Sequence, residues 1–330
     1  MLYLHQSCCI SPQRADDLDT LQPSRDNQLF VIEPPYPGIP PGLLRRMGKA
    51  VKISVGAALP LLQDPVDGII IGTGNGGLED CVKFLDQIVQ YEEGMLTPAN
   101  FVQSTANAMA SQISLLSRNK GYNITHVHRG LAFEQALLDA MLFAEEVPDK
   151  YFLLGGADEI SSYNNNIEML SGAFKQEPVS NTALYDSTTP GSLAGESAAL
   201  FRVSGVPSRI AIRELVTFHT RDTGMVLNRL LSFDPPDLLL TGENGDARLK
   251  PLYETVESAL GAPVARFKHQ TGEHPTAVAA GLWLAQQIIE KQHVPSHMVK
   301  SPGTAPASIL LYNTYKGVQH SFILISTVND

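Results

Sequence analysis

Cysteine is scarce in this chain: three residues, Cys8, Cys9 and Cys81, among 330. Three thiols cannot build a disulfide framework, and no Cys-x-x-Cys pair or His/Cys cluster has zinc-ligand spacing. A reducing compartment, the cytoplasm, is the expectation. Runs of positive charge are also missing. Lys+Arg 24 against Asp+Glu 34 gives a net charge of −10, with a pI near 5.4, a poor match for nucleic acid or an anionic membrane. No run of 18 apolar residues occurs, and the most apolar helical stretch, 276–289, is broken by Gln286 and Gln287, so no membrane insertion is expected. The first nine residues lack the basic-then-apolar pattern of a signal peptide. Disorder is excluded as well. Apolar residues at 43%, charged residues at 18% and a mean hydropathy of −0.03 describe a globular chain with enough length for a substantial core.

What is present alternates. Residues 13–50 are rich in Asp, Pro and Arg and read as an extended surface segment. A buried strand at 67–71 runs into a Gly-rich turn at 72–77, followed by a helix over 78–91. Residues 101–116 read as a helix with Ala106, Ala108, Ala110 and Ser111 on one face. Strands at 125–128, 151–154 and 197–203 bracket an amphipathic helix over 131–145. The pattern then resumes: strand 209–216, helix 225–231, strand 237–240, a turn at 241–246, helix 249–260, strand 264–267 and helix 276–290, with closing strands at 308–312 and 321–326. Strands alternating with helices predict an α/β fold with largely parallel pairing. An apolar strand breaks into a Gly-rich loop at 72 and again at 241, so the two parts of the chain echo each other.

Several motifs fall short of a function. Gly72-x-Gly74-x-x-Gly77 stands between strand and helix, as a dinucleotide fingerprint does. However, a long Pro-rich stretch precedes its strand, and Glu92 and Glu93 end a helix rather than a second strand. Tight turning and close helix–sheet packing explain the glycines better. Gly191-Ser192-Leu193-Ala194-Gly195 has the spacing of a serine nucleophile elbow without the strand–helix bracket. No phosphate-binding Gly-x-x-x-x-Gly-Lys loop occurs. Histidines gather at His126/His128 and His269/His274, and a lone His is more often structural than a ligand.

Taken together, a series of segments resembles the β-ketoacyl synthase (condensing enzyme) family. These are Cys9-Ile10-Ser11-Pro12, the Gly-Ile-Ile-Ile-Gly-Thr-Gly-Asn-Gly-Gly run at 68–77, the small-residue helix at 100–114 and Leu153-Leu154-Gly155-Gly156-Ala157-Asp158-Glu159. Further along come Gly195-Glu196-Ser197-Ala198-Ala199, Lys268-His269-Gln270-Thr271-Gly272 and Asn313-Thr314-Tyr315. Their order and spacing are most similar to the synthase-like proteins of bacterial aryl-polyene and flexirubin pathways. The resemblance implies a thiolase-like fold, two pseudo-symmetric βαβαβ halves in an α-β-α-β-α layering, here 1–204 and 205–330.

That family uses a Cys thiolate at a helix N-terminus to take an acyl chain, and two His to assist decarboxylation and stabilise the enolate. Aligning the helix by Ala136, Leu137 and Ala140 puts Gly130 in the nucleophile slot. Thr241 heads the loop where the first His belongs. Glu273 occupies the second His position, with His274 one place later. Candidate pocket residues are His128, Arg129, Phe133, Asn244, Asp246, Lys268, Thr271 and Tyr315. No cofactor or metal is expected, and the phosphopantetheine arm of an acyl carrier protein is the possible ligand. A fold of this kind without its Cys implies a chain-length-factor-like partner of an active synthase in fatty-acid or polyketide-type biosynthesis. The alternatives are an active 3-oxoacyl synthase or malonyl decarboxylase built on His128, Arg129, Glu273 or His274, and an inert homodimeric binding protein.

Overall fold

A computed structural model describes residues 1–328. Eleven strands form one hydrogen-bonded sheet. In chain order they are β1 (Leu2–Ile10), β2 (Gly68–Gly72), β3 (Tyr122–His126), β4 (Phe152–Asp158), β5 (Ser197–Ser204), β6 (Ile210–His219), β7 (Leu238–Thr241), β8 (Val264–Arg266), β9 (Val299–Ser301), β10 (Ser308–Tyr315) and β11 (Gln319–Thr327). The helices that cover them are α1 (Lys49–Ala58), α2 (Leu78–Gln90), α3 (Pro98–Gln103), α4 (Ala108–Ser117), α5 (Ala132–Glu146), α6 (Ser162–Leu170), α7 (Thr223–Leu230), α8 (Lys250–Leu260) and α9 (Ala277–Lys291).

The topology repeats. Across the sheet the first half reads β3-β2-β4-β5-β1 and the second β8-β7-β10-β11-β6, with β9 added outside β8. In each half the first three strands are parallel and the last two run antiparallel. The halves meet where β1 pairs with β6 over Leu2, Tyr3 and Leu4. Ile69, Ile70 and Ile71 of β2, and Leu238, Leu239 and Leu240 of β7, are buried, as parallel strands covered on both faces must be.

Three apolar clusters define the layers. α1 and α4 pack with Ile69, Ile71 and Leu153 on one outer face, and Val226, Leu230, Tyr253 and Val256 of α7 and α8 cover the other. Between them lie α5 and α9, whose Phe133, Leu137, Val278, Leu282 and Ile288 share one core with strands from both halves. Nearly all of α9 is buried, so it is apolar around its whole circumference. Each buried Leu or Ile there contributes on the order of 2 kcal/mol relative to exposure. This is an α-β-α-β-α layering on a thiolase-like plan.

Two elements differ from the sequence reading. The expected helix over 101–116 breaks into α3 and α4. Ser104 Oγ donates to the Phe101 carbonyl at 2.7 Å, and Gly77 passes so close that an added Cβ would lie 2.8 Å from the Thr105 oxygen. Asn107, at the break, bonds Thr125 of β3 at 2.8 Å. The segment expected to be extended through residue 50 makes a helical turn at Pro41–Leu44 and enters α1 at Lys49, and α6, unpredicted, follows β4.

Candidate functional site

A cavity of about 600 Å3 lies beyond the carboxyl ends of parallel strands from both halves. Asn75 follows β2, Glu159 follows β4, Asn244 and Asp246 follow β7, and Tyr315 ends β10. This is where open α/β sheets leave a crevice, because strand-to-helix loops diverge there. The loop after Thr271 adds Glu273 and His274, and α6 and the 221–226 segment complete the wall.

The floor is held by charge. Lys268 Nζ, fully buried, donates to Glu273 Oε1 at 2.7 Å. Asn244 Nδ2 donates to Glu273 Oε2 at 2.8 Å. Each carboxylate oxygen therefore accepts a hydrogen bond, and one of the two Asn244 amide hydrogens is committed to it. His274 is turned away from proton chemistry. Its Nε2 lies 3.1 Å from Ser197 Oγ, and its Nδ1 lies 3.4 Å from Thr276 Oγ1. Thr276 donates its hydrogen to Asp158 Oδ2 at 2.8 Å, so its oxygen accepts from Nδ1–H and the Nε2 lone pair accepts from Ser197. Burial first, then the Lys268 charge, pushes His274 down to about 3. It is a neutral ring locked in one tautomer.

Asp158 also closes the dinucleotide reading. Its carboxylate accepts from Thr73 Oγ1 and from the backbone N–H groups of Gly74 and Asn75, at 2.9 to 3.1 Å. Those amides would have to receive a pyrophosphate, and the strand–turn–helix has spent them internally. Gly72 and Gly74 are required for packing instead. A Cβ on Gly72 would meet the Ala132 oxygen at 2.4 Å, and one on Gly74 would meet Pro275 at 2.3 Å.

At the bend before α5 the left-handed residue is Arg129, with φ 51°. Gly130 comes next and is buried. An added Cβ on Gly130 would lie 2.2 Å from both Cβ and Cγ of Tyr315, so the Tyr315 side chain fills the space a larger residue would need. The Gly130 N–H donates to Gln319 Oε1 at 3.0 Å. No sulfur is near. Cys8 and Cys9 sit in β1 and Cys81 in α2, and burial pushes both Cys8 and Cys9 up, away from thiolate.

Of the predicted pocket residues, Asn244, Asp246 and Tyr315 line the cavity beside Glu273 and His274. The others do not. His128 and Arg129 are exposed, because the bend throws them outward, and His128 stands edge-on to His219 with ring centroids 5.5 Å apart. Phe133 points into the core against Phe201, since it occupies the inner face of α5. Lys268 stays behind Glu273. Thr271 bonds the Gly272 oxygen and is buried against Gly195. Thr241 is buried in β7 beside Tyr312 and Arg266. Sequence reasoning missed Glu168, Arg221 and Lys316, which also line the cavity. They lie on surface helix and turn positions with no motif, where only the folded chain brings them together. Glu168 and Lys316 form an ion pair of 2.6 Å in the cavity wall. Among the described residues no group of three or more His, Cys, Asp or Glu could hold a metal, and no helix is long and apolar enough to cross a membrane.

Residues 21–182 match the family described as Beta-ketoacyl synthase, N-terminal domain. No curated protein matches the chain in sequence. Among solved structures it is similar to the ketosynthase ApeO in complex with its chain length factor ApeC from Xenorhabdus doucetiae, with a TM-score of 0.79 at 13% identity, covering 99% of this chain and 98% of that one. A beta-ketoacyl synthase from Burkholderia phymatum STM815 gives a TM-score of 0.78 at 14% identity, covering 99% of both chains. The ishigamide ketosynthase/chain length factor gives 0.75 at 13%, again covering 99% of both.

Proposed function

Because this chain is a β-ketoacyl-synthase-like protein on a thiolase-like fold, we propose that it is a non-condensing homologue, a chain-length-factor-like partner of an active synthase. The setting is fatty-acid or polyketide-type biosynthesis of the aryl-polyene or flexirubin kind. The observation that carries this reading is the slot before α5: it holds Gly130, and the Tyr315 side chain stands where a nucleophile would begin. Without a thiolate there the covalent route of acyl transfer has no first step.

The partner face in this reading is β3, one of the two edges of the sheet, with the helix beside it. Leu115 is 73% exposed, Val102 62%, Phe101 60% and Val127 57%. Exposed apolar residues on α3, on α4 and just after an edge strand suit cover by another chain. The cavity, lined in part by Arg221, would admit the phosphopantetheine arm of an acyl carrier protein that serves the pair.

The enzyme alternative finds little support in the floor of the cavity. An enolate needs donors aimed at it, yet Lys268 and Asn244 both donate to Glu273, and that carboxylate would repel a malonyl group. The test is co-expression with a Cys-containing synthase of the same pathway. A heterodimer that forms in preference to either homodimer, and that Val127→Asp disrupts, supports the proposal. A stable homodimer that ignores the synthase favours the self-paired binding protein.

A further inference from the structure

Helix α6 has the cavity on one side and solvent on the other. Asn165, Glu168 and Ser171, spaced by three, line the cavity, while Ile167 and Leu170 between them are 60% and 82% exposed. No described side chain of α6 is buried. A helix of nine residues is too short to be stable by itself in water, and here no buried apolar side chain anchors it. The chain on either side is fixed: Ser161 is buried just before α6, and Phe174 and Lys175 are buried just after it.

What ties α6 to the body is polar. Tyr163 Oη donates to Asp86 Oδ2 of α2 at 3.3 Å, Arg248 Nη2 donates to the Gly172 carbonyl at 2.8 Å, and Lys316 Nζ donates to Glu168 Oε2 at 2.6 Å. The last is an ion pair that joins α6, in the first half, to the turn between β10 and β11 in the second. Just past α6, Gly172 takes the left-handed conformation with φ 72°, and only Arg248 comes within 4 Å of an added Cβ, so the backbone has room to turn there. Fixed ends, no buried apolar side chain and contacts at the surface describe a segment that opens locally at low cost.

We propose that α6 is a lid on the cavity, hinged at Gly172 and held shut by the Glu168–Lys316 ion pair, which swings out to admit a ligand. Glu168 and Lys316 both line the cavity, so breaking their bond frees the wall at the place where the two halves of the chain meet over it. The pair is partly exposed, which makes the lid sensitive to salt. The inference goes beyond the partner reading and stands whether or not the chain pairs with a synthase.

The test is hydrogen–deuterium exchange on the purified chain, with a second readout of entry to the cavity. Amides of 162–172 should exchange far faster than those of β4 beside them, and faster again in high salt. Lys316→Glu, which sets two carboxylates against each other, should speed them by about three- to tenfold, the range set by one partly exposed pair and its reversal. Adding Glu168→Lys restores an ion pair with its signs exchanged and should bring the rate back. For entry, Ala194, which is buried and lines the cavity from outside α6, is replaced in Ala194→Cys and alkylated with iodoacetamide. Its labelling should rise with Lys316→Glu and fall back in the exchanged pair, while labelling of Cys8, Cys9 and Cys81 stays constant. Exchange in 162–172 as slow as in β4, or a Lys316→Glu effect that the exchanged pair does not reverse, overturns the lid. So does labelling at residue 194 that ignores both changes. Should Ala194→Cys fail to fold, the exchange measurements on the other variants decide.

Discussion

Placing a cysteine at residue 130 puts the slot argument to work. The backbone there is no obstacle, since the left-handed φ belongs to Arg129 and not to Gly130. The obstacle is Tyr315, whose Cβ and Cγ lie 2.2 Å from where the new Cβ would be. Atoms in van der Waals contact stand about 3.5–4.0 Å apart, so the side chain of residue 315, or the hairpin turn carrying it, has to retreat by more than an ångström. Overpacking of that size costs about 1–3 kcal/mol. For a chain of 330 residues, an unfolding entropy of about 2.1 cal/mol/K per residue gives roughly 1.5 °C per kcal/mol. Gly130→Cys should therefore lower Tm by about 1.5 to 4.5 °C, provided the chain unfolds in one step. In a Tyr315→Ala background the same change should cost almost nothing, a coupling of about 1–3 kcal/mol between the two sites. The assay is thermal unfolding of all four members of the cycle. A Gly130→Cys penalty that is the same with or without Tyr315 would refute the claim that this side chain occupies the slot.

Other outcomes follow from named groups. His269 and His274 are both pushed down to about 3, chiefly by burial. They are neutral in the fold while the unfolded chain takes up protons below about 6.5. Their stabilisation is full above that pH and is lost as pH falls towards 3, at most about 5 kcal/mol per ring. Glu134 and Glu159, pushed up to about 7 by burial, act in the opposite sense, their contribution falling as pH rises from about 4.5 to 7. Urea unfolding across pH 3–9 should show Glu134→Gln weakening the loss on the alkaline side while leaving the acid limb in place. An unchanged profile in that variant would contradict the buried-acid assignment. Lys175 Nζ donates to Ser187 Oγ and the Thr189 carbonyl at 2.7 Å and to the Gly245 carbonyl at 2.9 Å. Lys175→Met should cost about 2–4 kcal/mol by urea midpoint and loosen the loop that presents Asn244 and Asp246. Leu115→Asp at the β3 face should weaken association by size-exclusion chromatography, whereas Leu231→Asp, exposed on the second half, should not.

The repeated strand–turn–helix order was legible because the apolar runs at 67–71 and 237–240 are buried on both faces and leave an unbroken hydrophobic signature. The split of 101–116 was not, since a Ser104 back-bond and the approach of Gly77 are tertiary facts that helical spacing does not encode. At the site, Asn244 and Asp246 could be read from the loop after a strand, and Glu273 and His274 from the family resemblance of the 268–272 segment. His128, Arg129 and Phe133 were misjudged because nearness in sequence to Gly130 says nothing about direction. A single left-handed residue sends two of them to solvent, and the helix face sends the third into the core. The burial of Glu134 had no sequence signal, because a glutamate near a helix start reads as an ordinary N-terminal acid.

The most direct measurement is the intact mass of this chain and of a Cys-containing synthase after joint incubation with acyl-loaded acyl carrier protein. The account predicts an acyl adduct on the synthase and none on this chain. An adduct on this chain, at any residue, would contradict it.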